Sequence, residues 1–211
     1  MVEGIVNLTR KVLPRLTANA KENIANINSM PEMILNKMAR NGDKSILHTD
    51  MNQCTAAIIR KNGITTSYTD ALHGCNSVGV VIKLKNGENL CLLSHYVPTN
   101  IDGQVNAVKK QLGTYSRYIN KDSKPKIFFN IRGFDNNGKL EAVPNKIVDK
   151  IVELFNEKFK KGVDYTITPY ENGKRPAFFS SANIFQFSPN DTNKLKITNV
   201  GEKEKFIDLT V

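Results

Sequence analysis

Between Val78 and Leu93 the chain reads VGVVIKLKNGENLCLL, two apolar stretches separated by Asn86-Gly87. Aliphatic and β-branched residues followed by a strong turn dipeptide and a second apolar stretch predict an antiparallel hairpin. The rest of the chain reads as support for the longer segment from Ser67 to Pro98. Cys75 lies just before the first predicted strand and His95 just after the second. An antiparallel hairpin brings its two open ends together, which places a thiol and an imidazole within hydrogen-bond reach.

A chain of 211 residues can bury about 70% of its unfolded surface, so one core is expected. Residues 46–211 read as the domain and residues 1–45 as an N-terminal helical extension. With 40% hydrophobic and 24% charged residues, the composition is that of an ordinary globular protein. No stretch is apolar enough to predict a membrane span, so no membrane partner is expected. The opening MVEGIVNLTRKVLPRL carries charges and a proline where a secretory peptide needs an unbroken apolar run. A cleaved signal is therefore not expected, while an uncleaved export signal stays open. The formal charge is +10, but the lysines are spread along the chain without an arginine-rich run. The charge reads as a basic surface suited to acidic partners, and nucleic acid is not an expected ligand.

Three cysteines, Cys54, Cys75 and Cys91, and three histidines, His48, His73 and His95, form neither a CxxC pair nor a metal-ligand spacing. No metal and no cofactor is expected, and a reducing compartment fits best. Cys54 in NQCTAAII and Cys91 in LCLL sit in strand-like runs and read as small core hydrophobes.

Along the chain, Ile5, Leu8, Val12, Leu13 and Leu16 recur at helical spacing, and Ser29 with Glu32 makes a capping box opening a second helix that ends near Gly42. This arm is expected to cap the core through Met30, Met33, Ile34 and Met38. Strands are predicted at 54–59 and 64–68, then a helix over 102–118, a strand at 126–131 and a helix over 144–159. The last has a wide apolar face of Ile147, Val148, Ile151, Leu154 and Phe155. Strands at 164–168, 177–187, 195–200 and 205–211 complete the chain. The order predicts an α+β fold, a layered β-sandwich or a mixed sheet covered by helices.

A thiol is a modest nucleophile until a neighbouring imidazole takes its proton, and Cys75 with His95 has that outline. Gly74 permits a sharp turn and close approach to the sulfur. The Cys75 backbone amide can then donate to an oxyanion. His73, two residues from Cys75 across Gly74, is a rival partner ranked below His95. His48 reads as a solvated loop residue. The bland alternative is an accidental cysteine near a turn.

Around these residues the sequence resembles the bacterial glutamine deamidases: chemoreceptor deamidases of the CheD type, the catalytic domain of cytotoxic necrotizing factor, and Burkholderia lethal factor. Leu72-His73-Gly74-Cys75 is similar to the toxins' Leu-Ser-Gly-Cys, with His73 replacing the serine. His95-Tyr96-Val97-Pro98 is similar to the chemotaxis enzymes' histidine followed by proline, with Pro98 one position closer. Thr69 stands six positions before Cys75. Coverage runs over about residues 50–205. The resemblance implies that Cys75 attacks a glutamine carboxamide, that His95 moves the proton, and that Thr69 orients the imidazole through its hydroxyl.

The expectation is therefore a protein-glutamine deamidase working through a thioester. Its partner would be a target protein carrying the modified glutamine, with a host protein of acidic surface the favoured type. The toxin-like turn favours a secreted bacterial effector acting in the host cytosol over an enzyme of the bacterial cytoplasm. A cysteine protease or transglutaminase using the same dyad, and a non-catalytic basic binding module, stay open.

Overall fold

The computed structural model describes residues 31–72, 74–132, 142–170, 181–199 and 204–210. Along them run α1 (Pro31–Arg40), β1 (Ile46–His48), β2 (Gln53–Ile59), β3 (Thr66–Leu72), β4 (Asn76–Lys83), β5 (Asn89–Tyr96), α2 (Ile101–Thr114), β6 (Lys126–Arg132), α3 (Ala142–Asn156), β7 (Asp164–Tyr170), β8 (Ser181–Phe187), β9 (Lys194–Asn199) and β10 (Lys205–Asp208).

The predicted hairpin is β4–β5, in the register Val80↔Leu92 and Lys83↔Asn89. Gly87 takes φ +86°, a left-handed backbone that costs little without a Cβ. Every residue of β5 is buried, and in β4 only Lys83 is less than fully so. Strand alternation sends Val78, Val80, Ile82, Leu90 and Leu92 to one face, where they meet Val108 and Leu112 of α2 and Ile151 and Phe155 of α3. Val81, Cys91 and Leu93 point the other way, against Phe185, Phe187 and Ile197. The hairpin therefore forms the middle of a sheet ordered β2-β5-β4-β6-β7, with the helices on one face and a second sheet, β1-β3-β8-β9-β10, on the other. Both sheets are mixed: β6–β7 and β1–β3 run parallel and the remaining pairs antiparallel. The expected α+β layering is present.

The two sheets approach closely over Gly79. A Cβ built there would lie 2.1 Å from Cζ of Phe185, a ring that is fully buried and meets Phe128 edge-on at 5.6 Å between centroids. Only a residue without a side chain leaves space for that ring.

Helix α1 corrects one expectation. Met33, Ile34 and Met38 do not pack on the core; they are 40%, 46% and 40% exposed. Leu35 faces inward instead, against Tyr68, Ala182 and Ile184 on the outer face of the second sheet. The reason is polar. Asn36 donates to Asp70 at 2.6 Å and accepts from the Tyr68 hydroxyl at 2.7 Å, which fixes the helix with the 32/35/36 stripe toward the sheet. The remaining elements shift by a few residues. The strand expected at 64–68 is Thr66–Leu72, and the helix expected to run to 118 ends at Thr114. The first predicted helix, Ser29, Met30, residues 177–180, Val200 and Val211 lie outside the described residues. No helix among the described residues is long and apolar enough to cross a membrane.

Replacing Gly79 with Ala should destabilise the protein by about 1–3 kcal/mol, the usual cost of overpacking, read as a lower denaturation midpoint. An unchanged midpoint would mean that the Phe185 ring moves aside without cost.

Candidate active site

At the end of the sandwich where β4 begins and β5 finishes, the inward-facing positions change from apolar to polar. In the central sheet His95 stands opposite Ser77, Ser77 opposite Asn130, and Asn130 opposite Thr168. In the second sheet Thr69 stands opposite Asn183, and Asn183 opposite Asn199. Two hydrogen bonds join these rows across the gap. The Thr69 hydroxyl lies 2.8 Å from His95 Nδ1, and Asn183 Nδ2 donates to the Ser77 hydroxyl at 2.9 Å.

The Thr69 hydroxyl decides the state of the imidazole. It donates its one proton to the Thr49 carbonyl at 2.8 Å, so toward His95 it can only accept. Nδ1 therefore carries the ring proton and Nε2 a bare lone pair. Thr49 is itself held by its backbone N–H, which donates to the Tyr68 carbonyl at 2.9 Å. The His95 backbone is fixed too: its carbonyl accepts from the Asn52 amide at 2.6 Å, and Asn52 sits at φ +61° to make that bond. His95 is 2% exposed, and its Nε2 is buried with no hydrogen-bond partner among the described residues. Such an atom costs about 1–3 kcal/mol, and its position is set by a framework that leaves it open.

Cys75 lies one step beyond the Asn76↔Tyr96 pair. It is two residues before Ser77, the residue opposite His95, so strand alternation gives it the face that His95 occupies. Cys75 is 5% exposed and packs with Leu72 and Val97. Between Leu72 and Asn76 the chain leaves the second sheet and enters the central one. Gly74 takes φ +84° there, and its amide donates to the Leu72 carbonyl at 3.0 Å. The structure thus joins Thr69 to His95 directly and places Cys75 two positions before Ser77, the residue opposite His95. His73 lies outside the described residues.

Burial governs the electrostatics. It holds the His95 imidazole down at a pKa of about 4, against a smaller upward pull from Asp70, and it pushes the Cys75 thiol up. Both shifts favour the uncharged partners, a thiol and a neutral imidazole, at neutral pH. Cys54 and Cys91 are pushed up to about 12 by burial and pack in the two apolar layers, as core hydrophobes do.

His48 corrects a second expectation. It belongs to β1, with Nε2 2.9 Å from Asp70 and Nδ1 3.2 Å from Asp50, and its ring lies 4.7 Å from Tyr68. Pairing β1 with β3 sets His48 beside Tyr68, on the outer face beneath α1, where Asp70 also holds Asn36. The Asp70 bond raises its pKa above 6.5 despite partial burial.

Sequence reasoning passed over Ser77, Asn130, Asn183 and Asn199. The signal was present: Asn130 in IFFNIR, Asn183 in SANIFQF and Asn199 in KITN each interrupt an apolar β-run with a residue that strands disfavour. The described residues contain no group of three metal-ligating side chains. The sequence matches no protein-family model, and no curated protein matches it.

In nitrogen-detected NMR, His95 should hold its proton on Nδ1 and titrate near pH 4; Thr69→Val should abolish that tautomer preference. A ring titrating near the ordinary 6.5 would contradict the buried arrangement. His48 should behave in the opposite sense. Its folded pKa is raised, so its contribution to stability is full below the unfolded value of 6.5 and is lost as pH rises through the folded value. Hydrogen exchange in α1 should accordingly quicken over that alkaline interval, and His48→Ala should remove the pH dependence.

Proposed function

We propose that this chain is a cysteine-dependent protein-glutamine deamidase with the fold of the bacterial deamidases that its Leu72–Cys75 and His95–Pro98 segments resemble. One observation carries the reading: the Thr69 bond to His95 Nδ1 leaves Nε2 bare on the face that Cys75 shares. A neutral imidazole whose free nitrogen is oriented by a hydroxyl is what a thiol needs as its base.

In this reading a glutamine side chain enters beside Leu72 and Val97, which pack with Cys75. His95 Nε2 takes the thiol proton as sulfur bonds to the carboxamide carbon. The Cys75 amide donates to the developing oxyanion. The C–N bond then breaks, with His95 returning the proton to the departing ammonia. Water next attacks the thioester and gives a proton to His95, and the C–S bond breaks to leave glutamate and a restored thiol. Thr69 is a positioning residue throughout.

Burial supports a side-chain carboxamide over a peptide bond as the group attacked. A sulfur that is 5% exposed is reached more readily by a slim side chain than by a main chain flanked on both sides. The target is a protein presenting a glutamine to a basic surface of net charge +10, and a host protein with an acidic face fits best. The change from a neutral to an anionic side chain can disable an interface without cleavage. The chain would then act as a bacterial effector in the host cytosol.

Incubating the protein with host-cell extract should release ammonia and convert a glutamine to glutamate on one or a few proteins, detected by mass spectrometry. Cys75→Ala and His95→Ala should abolish both signals, and Thr69→Val should lower kcat by about 10²-fold with little change in KM. Signals that survive Cys75→Ala would end the proposal; two fragments or an amine adduct would indicate a protease or a transglutaminase. The acid limb of kcat/KM should fall near pH 4, because the imidazole must be neutral to accept a proton and its pKa is depressed.

A further inference from the structure

Beyond His95 the polar rows line part of a small cavity between the sheets, with about 20 Å³ of space open to a water's centre. That is room for about one water-sized molecule. Asn130 and Thr168 wall it from the central sheet, and Asn183, Asn199 and Lys205 from the second, with Phe128 on its apolar side. Asn130 and Asn183 are 1% exposed and Asn199 6%.

The bonding inventory of the wall is lopsided. Asn183 Nδ2 is spent on Ser77 at 2.9 Å, and one Lys205 proton on the Thr168 hydroxyl at 2.9 Å. Unpartnered among the described residues are three side-chain oxygens, those of Asn130, Asn183 and Asn199, and one amide nitrogen, that of Asn130. Buried polar atoms call for partners. Three unpartnered acceptors on residues that line so small a space suit a compact molecule rich in N–H or O–H bonds, and the space is too small for a whole carboxamide or carboxylate. Water and ammonia are such molecules, and they are the two that exchange during deamidation. Asn183 links the cavity wall to the candidate site: it pairs with Thr69 in the sheet and bonds Ser77, the residue opposite His95.

We propose that this cavity is the exchange site for the departing ammonia and the incoming water, an inference that rests on the deamidase reading. As the C–N bond breaks, ammonia, completed by the proton from His95, changes places with the water held on the asparagine oxygens. That water then gives one proton to His95 Nε2 and forms the C–O bond at the thioester. The C–S bond breaks, and the sulfur takes the proton back from His95.

The experiment needs no natural target. The full chain is acetylated with p-nitrophenyl acetate, and loss of the acetyl group from Cys75 is followed by intact mass. Asn130→Leu and Asn199→Leu, which fill the cavity, should leave acetylation unchanged and slow hydrolysis of the acetyl-enzyme about tenfold or more, with thermal unfolding reporting that they fold. In the unmodified chain, which decides the matter if those variants do not fold, added ammonia should capture the acetyl group as acetamide while n-butylamine, too long for the cavity, should not. Absence of any Cys75-dependent acetyl adduct overturns the deamidase reading and this inference with it. An adduct that hydrolyses equally fast in the folded variants, or that n-butylamine captures as well as ammonia does, overturns the exchange site alone.

Discussion

The β4–β5 hairpin has no face that water can wet. Val80, Ile82, Leu90 and Leu92 demand cover on one side and Val81, Cys91 and Leu93 on the other. A two-stranded ribbon cannot supply that cover, so the chain surrounds it with α2 and α3 above and a second sheet below. Transfer of apolar surface from water drives this arrangement, at roughly 25 cal/mol for each Å² buried. Gly79 sets how close the layers come, because the buried ring of Phe185 occupies the space of its missing side chain. From that enclosure follows the character of the site, which lies where the sandwich ends and its interior turns polar.

A polar layer inside a sandwich is expensive, since each unpartnered buried atom costs about 1–3 kcal/mol. Most polar interiors avoid the cost by pairing every atom. Here Thr69, Thr49, Ser77 and Asn183 are paired across and along the sheets, while His95 Nε2 and the oxygens of Asn130, Asn183 and Asn199 are not. Paired atoms act as framework, and unpaired ones mark positions at which that framework is directed. The same burial keeps the imidazole and the thiol uncharged at neutral pH.

Two histidines on opposite faces of the second sheet show how the same side chain is tuned in opposite directions. His95, buried and facing a hydroxyl, is held well below the ordinary histidine range. His48, half-buried between two carboxylates, is held above it. Their strand partners explain the difference: Tyr68 and Asp70 of β3 point toward α1, and Thr69 between them points inward to His95. One strand thus ties α1 to the outside of the sheet and orients the imidazole on the inside.

Alternation, Asn86-Gly87 and the helical periods of 102–118 and 144–159 were legible because strand and helix repeats are local properties of the chain. They gave the hairpin, the order of elements and the placing of Cys75 and His95 at its two open ends. The pairing of sheet with sheet is not local. It was the fold that brought Thr69 to His95, that lined Asn130, Asn183 and Asn199 along one cavity, and that turned α1 onto Leu35 and Asn36 instead of its methionines. The hydrogen bonds of Thr69 with His95 and of Asn183 with Ser77 alone join residues 26 and 106 positions apart, and they depend on the register in which two separate sheets stack. No local repeat carries that register, so the sequence alone determined which residues carry the chemistry of a thiol and an imidazole, and only the tertiary structure decided which nitrogen of the imidazole is left free.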